Sequence, residues 1–240
     1  MPRFFSYDCG NDNFILSGED GRHIARSLRM KAGEALTVCD GKCTDYECEI
    51  ASISGDEVSL NVTEVHPSKG EADVQITVYQ SVPKGDKMDG IVQRAVELGA
   101  VKIVPVLSER CVSRPDAKGQ KAKLTRWRKI ALESAMQCGR GIIPEVADFV
   151  DFQTAVNNTK CDKLILFYEG GGAPIGSMGI KCKTAISLFI GPEGGFEESE
   201  VETAKSAGAL IGSLGPRILR TQTASLAATA AIMFLTGNMD

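Results

Sequence analysis

The chain of 240 residues is 43% hydrophobic and 24% charged, with a formal net charge of −4. This is the composition of a soluble globular protein with length for one large or two modest domains, and it excludes one that meets nucleic acid through overall charge alone. Its eight cysteines recur at no fixed spacing, and the N-terminus MPRFFSYDCG has no apolar run of the secretory kind, so reduced thiols in the cytoplasm are expected.

Residues 1 to 70 read as a small β domain. EALTVCDG, DYECEIASISG and EVSLNVTEV are alternating or β-branched segments broken by Gly and Asp turns. The stretch SGEDGRHIARSLRMKAGE reads as a helix closed by Gly33. Cys39, Cys43, Cys48 and His66 fit no common zinc spacing; thiols buried in strands are the better reading, and no metal is expected. HPSKGEAD, with Pro67 and Gly70, reads as a linker.

From residue 74 the period changes. VQITVYQSV is a strand and KMDGIVQRAVELGA a helix ended by Gly99. VKIVPVLS is a strand and AKLTRWRKIALESAMQCG a long helix, with Trp127 read as half-buried core. KLILFYEGG and TAISLFIGPEGG are apolar strands that run into glycines. EESEVETAKSAG is a helix with acids in its first turns, where the helix dipole favours them. ALIGSLG is the last strand and TASLAATAAIMFLTG the last helix. That helix carries about 15 mostly apolar residues, too few to span a bilayer. Alternating strands and helices imply an α/β domain over 71–240 with a mostly parallel sheet.

Charge is unevenly placed. Between Lys84 and Lys129 stand 12 Lys and Arg against 5 Asp and Glu, and GRHIARSLRMK adds Arg22, His23, Arg26, Arg29 and Lys31. Either cluster alone also fits a solvated helix face; two on an otherwise acidic chain point to an anionic partner met at a defined surface.

In parallel sheets, ligands sit outside the carboxyl ends of the strands. Three strand ends here are rich in Gly or special turns: FYEGGG (167–172), IGPEGGF (190–196) and SLGPRILRT (213–221). Glycine lets backbone approach a ligand closely, so a small-molecule pocket is expected. Neither a phosphate-cradling GxxxxGK[ST] loop nor a GxGxxG dinucleotide fingerprint is present. An adenosine moiety without a polyphosphate meets the demands of such a pocket.

FIGPEGGFEESE followed by LGPRILRTQTA resembles the RsmE family of small-subunit ribosomal RNA uracil-N3 methyltransferases, of the SPOUT class. HIARSLRMK, KGDKMDGIVQRAVELGAVKIVPVLSERCV and ESAMQCGRGIIPEV resemble further family motifs, in family order over most of the chain. The resemblance implies a PUA-like β-barrel over 1–70, a knotted S-adenosylmethionine-binding domain over 71–240, a homodimer, and 16S ribosomal RNA of the small ribosomal subunit as substrate. It implies that the methyl donor is held by Leu166, Phe167, Tyr168, Glu169 and Gly170, by Ile190, Gly191, Pro192, Gly194 and Gly195, and by Ser213, Leu214, Gly215, Arg217, Ile218, Leu219, Thr223 and Ala224. For RNA it points to Arg22, His23, Arg26, Arg29 and Lys31 and to Lys84, Lys87, Arg110 and Arg114.

The implied chemistry is transfer to N3 of a uridine, which reacts best as its anion, so a cation near O2 or O4 would stabilise developing charge. Arg220 is the first candidate and Arg140 the second; Glu193 is either a general base or a brace for its loop. Two positions depart from the family pattern: Gln222 stands where a glutamate is common, and Met136-Gln137-Cys138 where Glu-Gln and a small residue are expected. Two other readings stay open: a SPOUT enzyme acting on another RNA such as tRNA, and a non-catalytic RNA-binding protein of ribosome assembly.

Overall fold

The computed structural model describes residues 1–9 and 12–239. Its contacts divide the chain into two compact units, Met1–Glu71 with Ala135–Ile143, and Ala72–Ser134 with Pro144–Asp240.

In the first unit, period-two alternation builds one small sheet. Strands β1 (Arg3–Phe5), β2 (Asn13–Leu16), β3 (Ala35–Cys39), β4 (Thr44–Ser54) and β5 (Glu57–Pro67) run in the order β1-β3-β4-β5-β2. β1 pairs with β3 in parallel and the other pairings are antiparallel. Register shifts between β4 and β5 at Glu47/Cys48 and Ile50/Ser52 are of the kind that bends a sheet. Every second residue points inward: Leu36 and Val38, Cys48 and Ile50, Val58 and Leu60 form the core with Phe4, Leu16 and Ile24. Burial pushes the Cys48 thiol up to about 12, and Cys39 is likewise buried and raised. These are protonated core thiols at neutral pH.

The helix expected to close at Gly33 differs. It is a short helix, α1 (Gly18–Arg22), that widens into a π-turn over His23–Leu28 and stops at Arg29, whose φ of 53° is left-handed. Ile24 is the buried apolar residue of the segment, so there is little inward face to extend a longer helix. Residues 31–34 form the turn into β3 instead.

The second unit is a parallel sheet with helices. Its strands are β6 (Gln75–Ser81), β7 (Lys102–Leu107), β8 (Glu145–Val146), β9 (Val150–Asp151), β10 (Lys163–Phe167), β11 (Ala173–Pro174), β12 (Ala185–Ile190) and β13 (Leu210–Ser213). The order is β11-β13-β10-β12-β6-β7-β8, with β9 also beside β7, and every pairing is parallel. The helices are α2 (Lys87–Glu97), α3 (Ala117–Cys138), α4 (Phe152–Asn158), α5 (Glu198–Ser206) and α6 (Thr221–Leu235). Central strands are continuous apolar runs, as a sheet covered on both faces requires. Phe189 at the centre stacks on Tyr79 at 4.3 Å and meets Phe152 edge-on. Trp127 is fully packed, and its indole donates to Asp89 Oδ1 at 3.0 Å.

Candidate functional site

Strands β10, β12 and β13 end side by side, with Phe167 in register with Ile190 on one side and Gly212 on the other. Beyond these ends the chain carries Gly and Pro, which do not extend a ladder. The three continuations enclose a cavity of about 590 Å³, lined by residues 167–169, 190–195 and 212–221 and by Ala224. That volume suits a small organic ligand.

Two glycines keep the cavity open. A Cβ at Gly212 would come within 2.9 Å of both the Phe167 ring and Met178 Cε. Gly195 has a φ of 69°, and a Cβ there would strike the Glu169 carboxylate. A side chain at either place would displace a wall.

The loop 191–195 is braced from outside. Glu193 accepts hydrogen bonds from the backbone N–H of Lys84 at 3.1 Å and from Lys87 Nζ at 2.5 Å. Arg110 forks onto Glu197 at 2.7 and 2.9 Å and donates to the Gly194 carbonyl at 2.8 Å. Glu197 in turn begins α5 in a capping box with Glu200, whose other oxygen accepts from the backbone of Glu109 at 2.9 Å. Burial works to raise the Glu193 carboxyl, but the Lys87 ammonium and the loop N–H groups outweigh it and hold the group below the usual carboxylate range.

The loop 214–220 differs. Ile218, Arg217 and Arg220 are exposed, and neither arginine has a carboxylate partner among the described residues. Arg220 is also the residue that begins α6, its carbonyl accepting from Ala224 N at 2.8 Å. Two unneutralised guanidinium groups thus stand at the lip of a cavity whose opposite loop has its charges paired.

The profile of a family described as an RNA methyltransferase domain matches residues 70–233, and that of an RNA methyltransferase PUA domain matches residues 16–63. Over 231 residues the chain is 36% identical to ribosomal RNA small subunit methyltransferase E of Bacillus subtilis (strain 168), covering 93% of this chain and 90% of the relative. Over 236 residues it is 30% identical to the protein of the same name from Aquifex aeolicus (strain VF5), covering 97% and 99%. The crystal structure of a ribosomal RNA small subunit methyltransferase E from Neisseria gonorrhoeae bound to S-adenosyl methionine matches with a TM-score of 0.90 at 31% identity, covering 98% of each chain. The chain belongs to the ribosomal RNA small subunit methyltransferase E family.

In this member of the family, most of the residues expected at the donor line the cavity, together with Glu193 and Arg220. Three do not: Leu166 is buried in β10, Gly170 lies just past the wall, and Thr223 faces outward from α6. Pro216 and Thr221, within the loop 213–221 that the sequence marks for the pocket, also line the cavity, and so does Gly212, which was not anticipated. A glycine inside the strand LIGS was the available signal for Gly212, since strand glycines mark close approaches. Gln222 lines a shallow crevice between α2 and α6 with Ile91 and Arg94 rather than the cavity.

Arg140 sits in the first unit, 2% exposed, with Nε and Nη2 each 2.7 Å from the Glu71 carboxylate. Its carbonyl accepts from Arg3, which also forks onto Asp45. Of the expected RNA contacts, Arg22 and Arg26 are exposed and share Asp56, while Arg29 and Lys31 are exposed. His23 lies edge-on to Phe4. Lys84, Lys87 and Arg110 serve the 191–195 brace, and Arg114 donates to the carbonyls of Ser108 and Glu109. No helix among the described residues is long and apolar enough to cross a membrane.

Proposed function

We propose that this chain methylates N3 of a uridine in 16S ribosomal RNA, with S-adenosylmethionine held in the cavity at the ends of β10, β12 and β13. The observation that carries this reading is a glycine-walled cavity with two unpaired arginines, Arg217 and Arg220, at its mouth. The walls suit the donor: apolar side chains such as Ile190, Pro192 and Ile218, backbone polar groups at Gly-rich turns, and positions at Gly195 and Gly212 where a Cβ would collide with Glu169 or Phe167.

When bound, the donor supplies an electrophilic methyl group on a sulfonium. Everything else falls to the chain. The three loops hold the reacting atoms close and aligned, which supplies much of the rate in such a displacement. Arg220 stabilises negative charge on uracil O2 or O4 as the N3 proton passes to solvent water. The target base leaves its stacked neighbours so that the mouth encloses it. Glu193, bound to Lys84 and Lys87 and held in its charged form, braces the loop rather than taking the proton. Arg140 is a structural residue of the first unit, because Glu71 engages its guanidinium.

The same reading extends to the assembly. The sequential crossings at β10, β12 and β13 form a trefoil knot, the exposed Leu226, Phe234 and Leu235 of α6 meet a second copy in a homodimer, and the enzyme works in the cytoplasm. The basic residues of the first unit and the arginines at the mouth of the cavity each contact RNA.

The deciding experiment incubates the protein and methyl-labelled donor with small ribosomal subunits lacking the modification, free 16S RNA or tRNA, followed by nucleoside mass spectrometry. The expected product is 3-methyluridine in ribosomal RNA; product only in tRNA, or in none, rejects the substrate assignment. Calorimetry with the donor tests the cavity, where Gly195→Ala is expected to bind at least about tenfold more weakly because it forces both a positive φ and a displaced wall.

A further inference from the structure

The floor beneath the cavity contains a buried polar chain that packing alone does not require. Gln80, in β6, is 0% exposed. Its Nε2 donates to the Ser81 carbonyl at 2.9 Å and to Thr221 Oγ1 at 2.9 Å. Thr221 Oγ1 donates to the Gly191 carbonyl at 2.6 Å. The direction of the chain follows from the groups. A carbonyl only accepts, so the amide nitrogen faces Ser81; a hydroxyl has one proton, which goes to Gly191 once the amide has donated to its oxygen. Among the described residues, Gln80 Oε1 and Ser81 Oγ have no hydrogen-bond partner. Burying a polar group this way costs stability, and an apolar residue would not incur that cost.

The geometry points to Gln80 as a positioning residue for methyl transfer, acting through Thr221 on two walls of the cavity at once. Gly191 begins the loop 191–195, and its Cα is already confined on the other side, where a Cβ would press on Gly195 at 3.1 Å. Thr221 begins α6 and follows Arg220 directly. The relay therefore ties the donor-side loop to the backbone that carries the Arg220 guanidinium, although β6 contributes no residue to the cavity lining. Fixing both ends of one hydroxyl sets the distance between donor and cation.

This inference rests on the cavity being the donor site, and the experiment separates the two. Donor affinity, kcat and unfolding midpoint are measured for Gly195→Ala, Thr221→Val, Thr221→Ser, Gln80→Met and the double variant Gln80→Met/Thr221→Val. Thr221→Val keeps shape and loses the relay, and a loss of about tenfold in donor affinity and in kcat is expected. Thr221→Ser keeps the hydroxyl and is expected within about threefold of the parent. Gln80→Met, remote from the ligand, is expected to show the same kind of loss, and the double variant to be no worse than Thr221→Val alone, because the residues act as a unit. Additive losses, equal damage from Ser and Val, or full donor affinity and kcat in Thr221→Val with only a lowered midpoint overturn the relay. If Gly195→Ala binds the donor as tightly as the parent, it is the cavity assignment that fails.

Discussion

Glu193 and Lys87 lie 106 residues apart in the chain and form an ion pair of 2.5 Å at the edge of the cavity. The carboxylate also accepts from Lys84 N–H, so the loop 191–195 is tied to the segment that opens α2. A carboxylate held below its usual range contributes stability above the unfolded value and loses it as pH falls through the folded value. The carboxylate's side of the brace is therefore complete at neutral pH and is lost in acid. Lys87 is 43% exposed, so the pair contributes at most about 1 kcal/mol. Glu193→Gln is expected to weaken donor binding by no more than about fivefold and to leave the shape of the neutral pH–rate profile unchanged. Calorimetry and a pH series measure both; a fall in kcat on the order of 10² at saturating substrates would make this carboxylate the base.

Arg220 and Arg217 share the exposed loop but differ in anchorage. Arg220 begins α6 beside the buried Thr221, whereas Arg217 follows Pro216 on the open part of the loop. The anchored guanidinium is the better placed to meet charge that develops only in the transition state. Arg220→Ala is expected to lower kcat on the order of 10² while donor affinity changes less than about threefold. Arg217→Ala should act mainly on RNA affinity. Steady-state kinetics at saturating donor separates the two, and unchanged turnover in Arg220→Ala removes it from the chemistry.

The sequence carried the parts of this site that are local. Three strands running into glycines were visible because a Gly or Pro after an apolar run has few other meanings. What was not visible is what those loops touch. Lys87 and Arg110 read as RNA contacts, and only the folded chain brings Glu193 and Glu197 to them. Helix α3 was expected from residue 122 and starts at Ala117, because Gly119 weakens the helical pattern while Asp116 caps it, accepting from Gly119 N–H at 2.8 Å. The assignment of residues 135–143 to the first unit rests on bonds such as Glu71 to Gly141 N–H, across 70 residues, and no local pattern encodes that. The π-turn after Arg22 is equally hidden, since the segment buries only Ile24 and so offers no apolar period from which to read its pitch.

The bond between Arg140 and Glu71 gives a stability prediction that also tests role. Glu71 receives two N–H groups of Arg140 and the backbone N–H groups of Gly141 and Ile142. The Arg140 side chain is 2% exposed and that of Glu71 17%. Removing one partner of a buried pair leaves the other uncompensated, typically at about 3–5 kcal/mol. Arg140→Ala is expected to lower stability by that order, and Arg140→Lys to recover only part, because an ammonium cannot fork onto a carboxylate. Denaturant titration measures this. An unchanged unfolding midpoint with lost turnover would instead assign Arg140 to the RNA.

The basic face of the first unit makes a claim about salt. Phosphate contacts release counterions, so the slope of log affinity against log salt counts them at about 0.7 to 0.9 per contact. Arg29 and Lys31 are exposed, and neither side chain has a carboxylate partner among the described residues. Arg22 and Arg26 share Asp56 at 3.3 and 2.8 Å and must loosen that contact to reach a phosphate. Arg29→Ala and Lys31→Ala should therefore each flatten the slope by about 1 and weaken binding to all RNAs alike. Arg22→Ala should flatten it less, because Asp56 already offsets part of that charge. Fluorescence anisotropy with a 16S RNA fragment over a salt series reads both effects. If all three variants keep the parent slope, this face is a solvated surface and RNA meets the protein elsewhere.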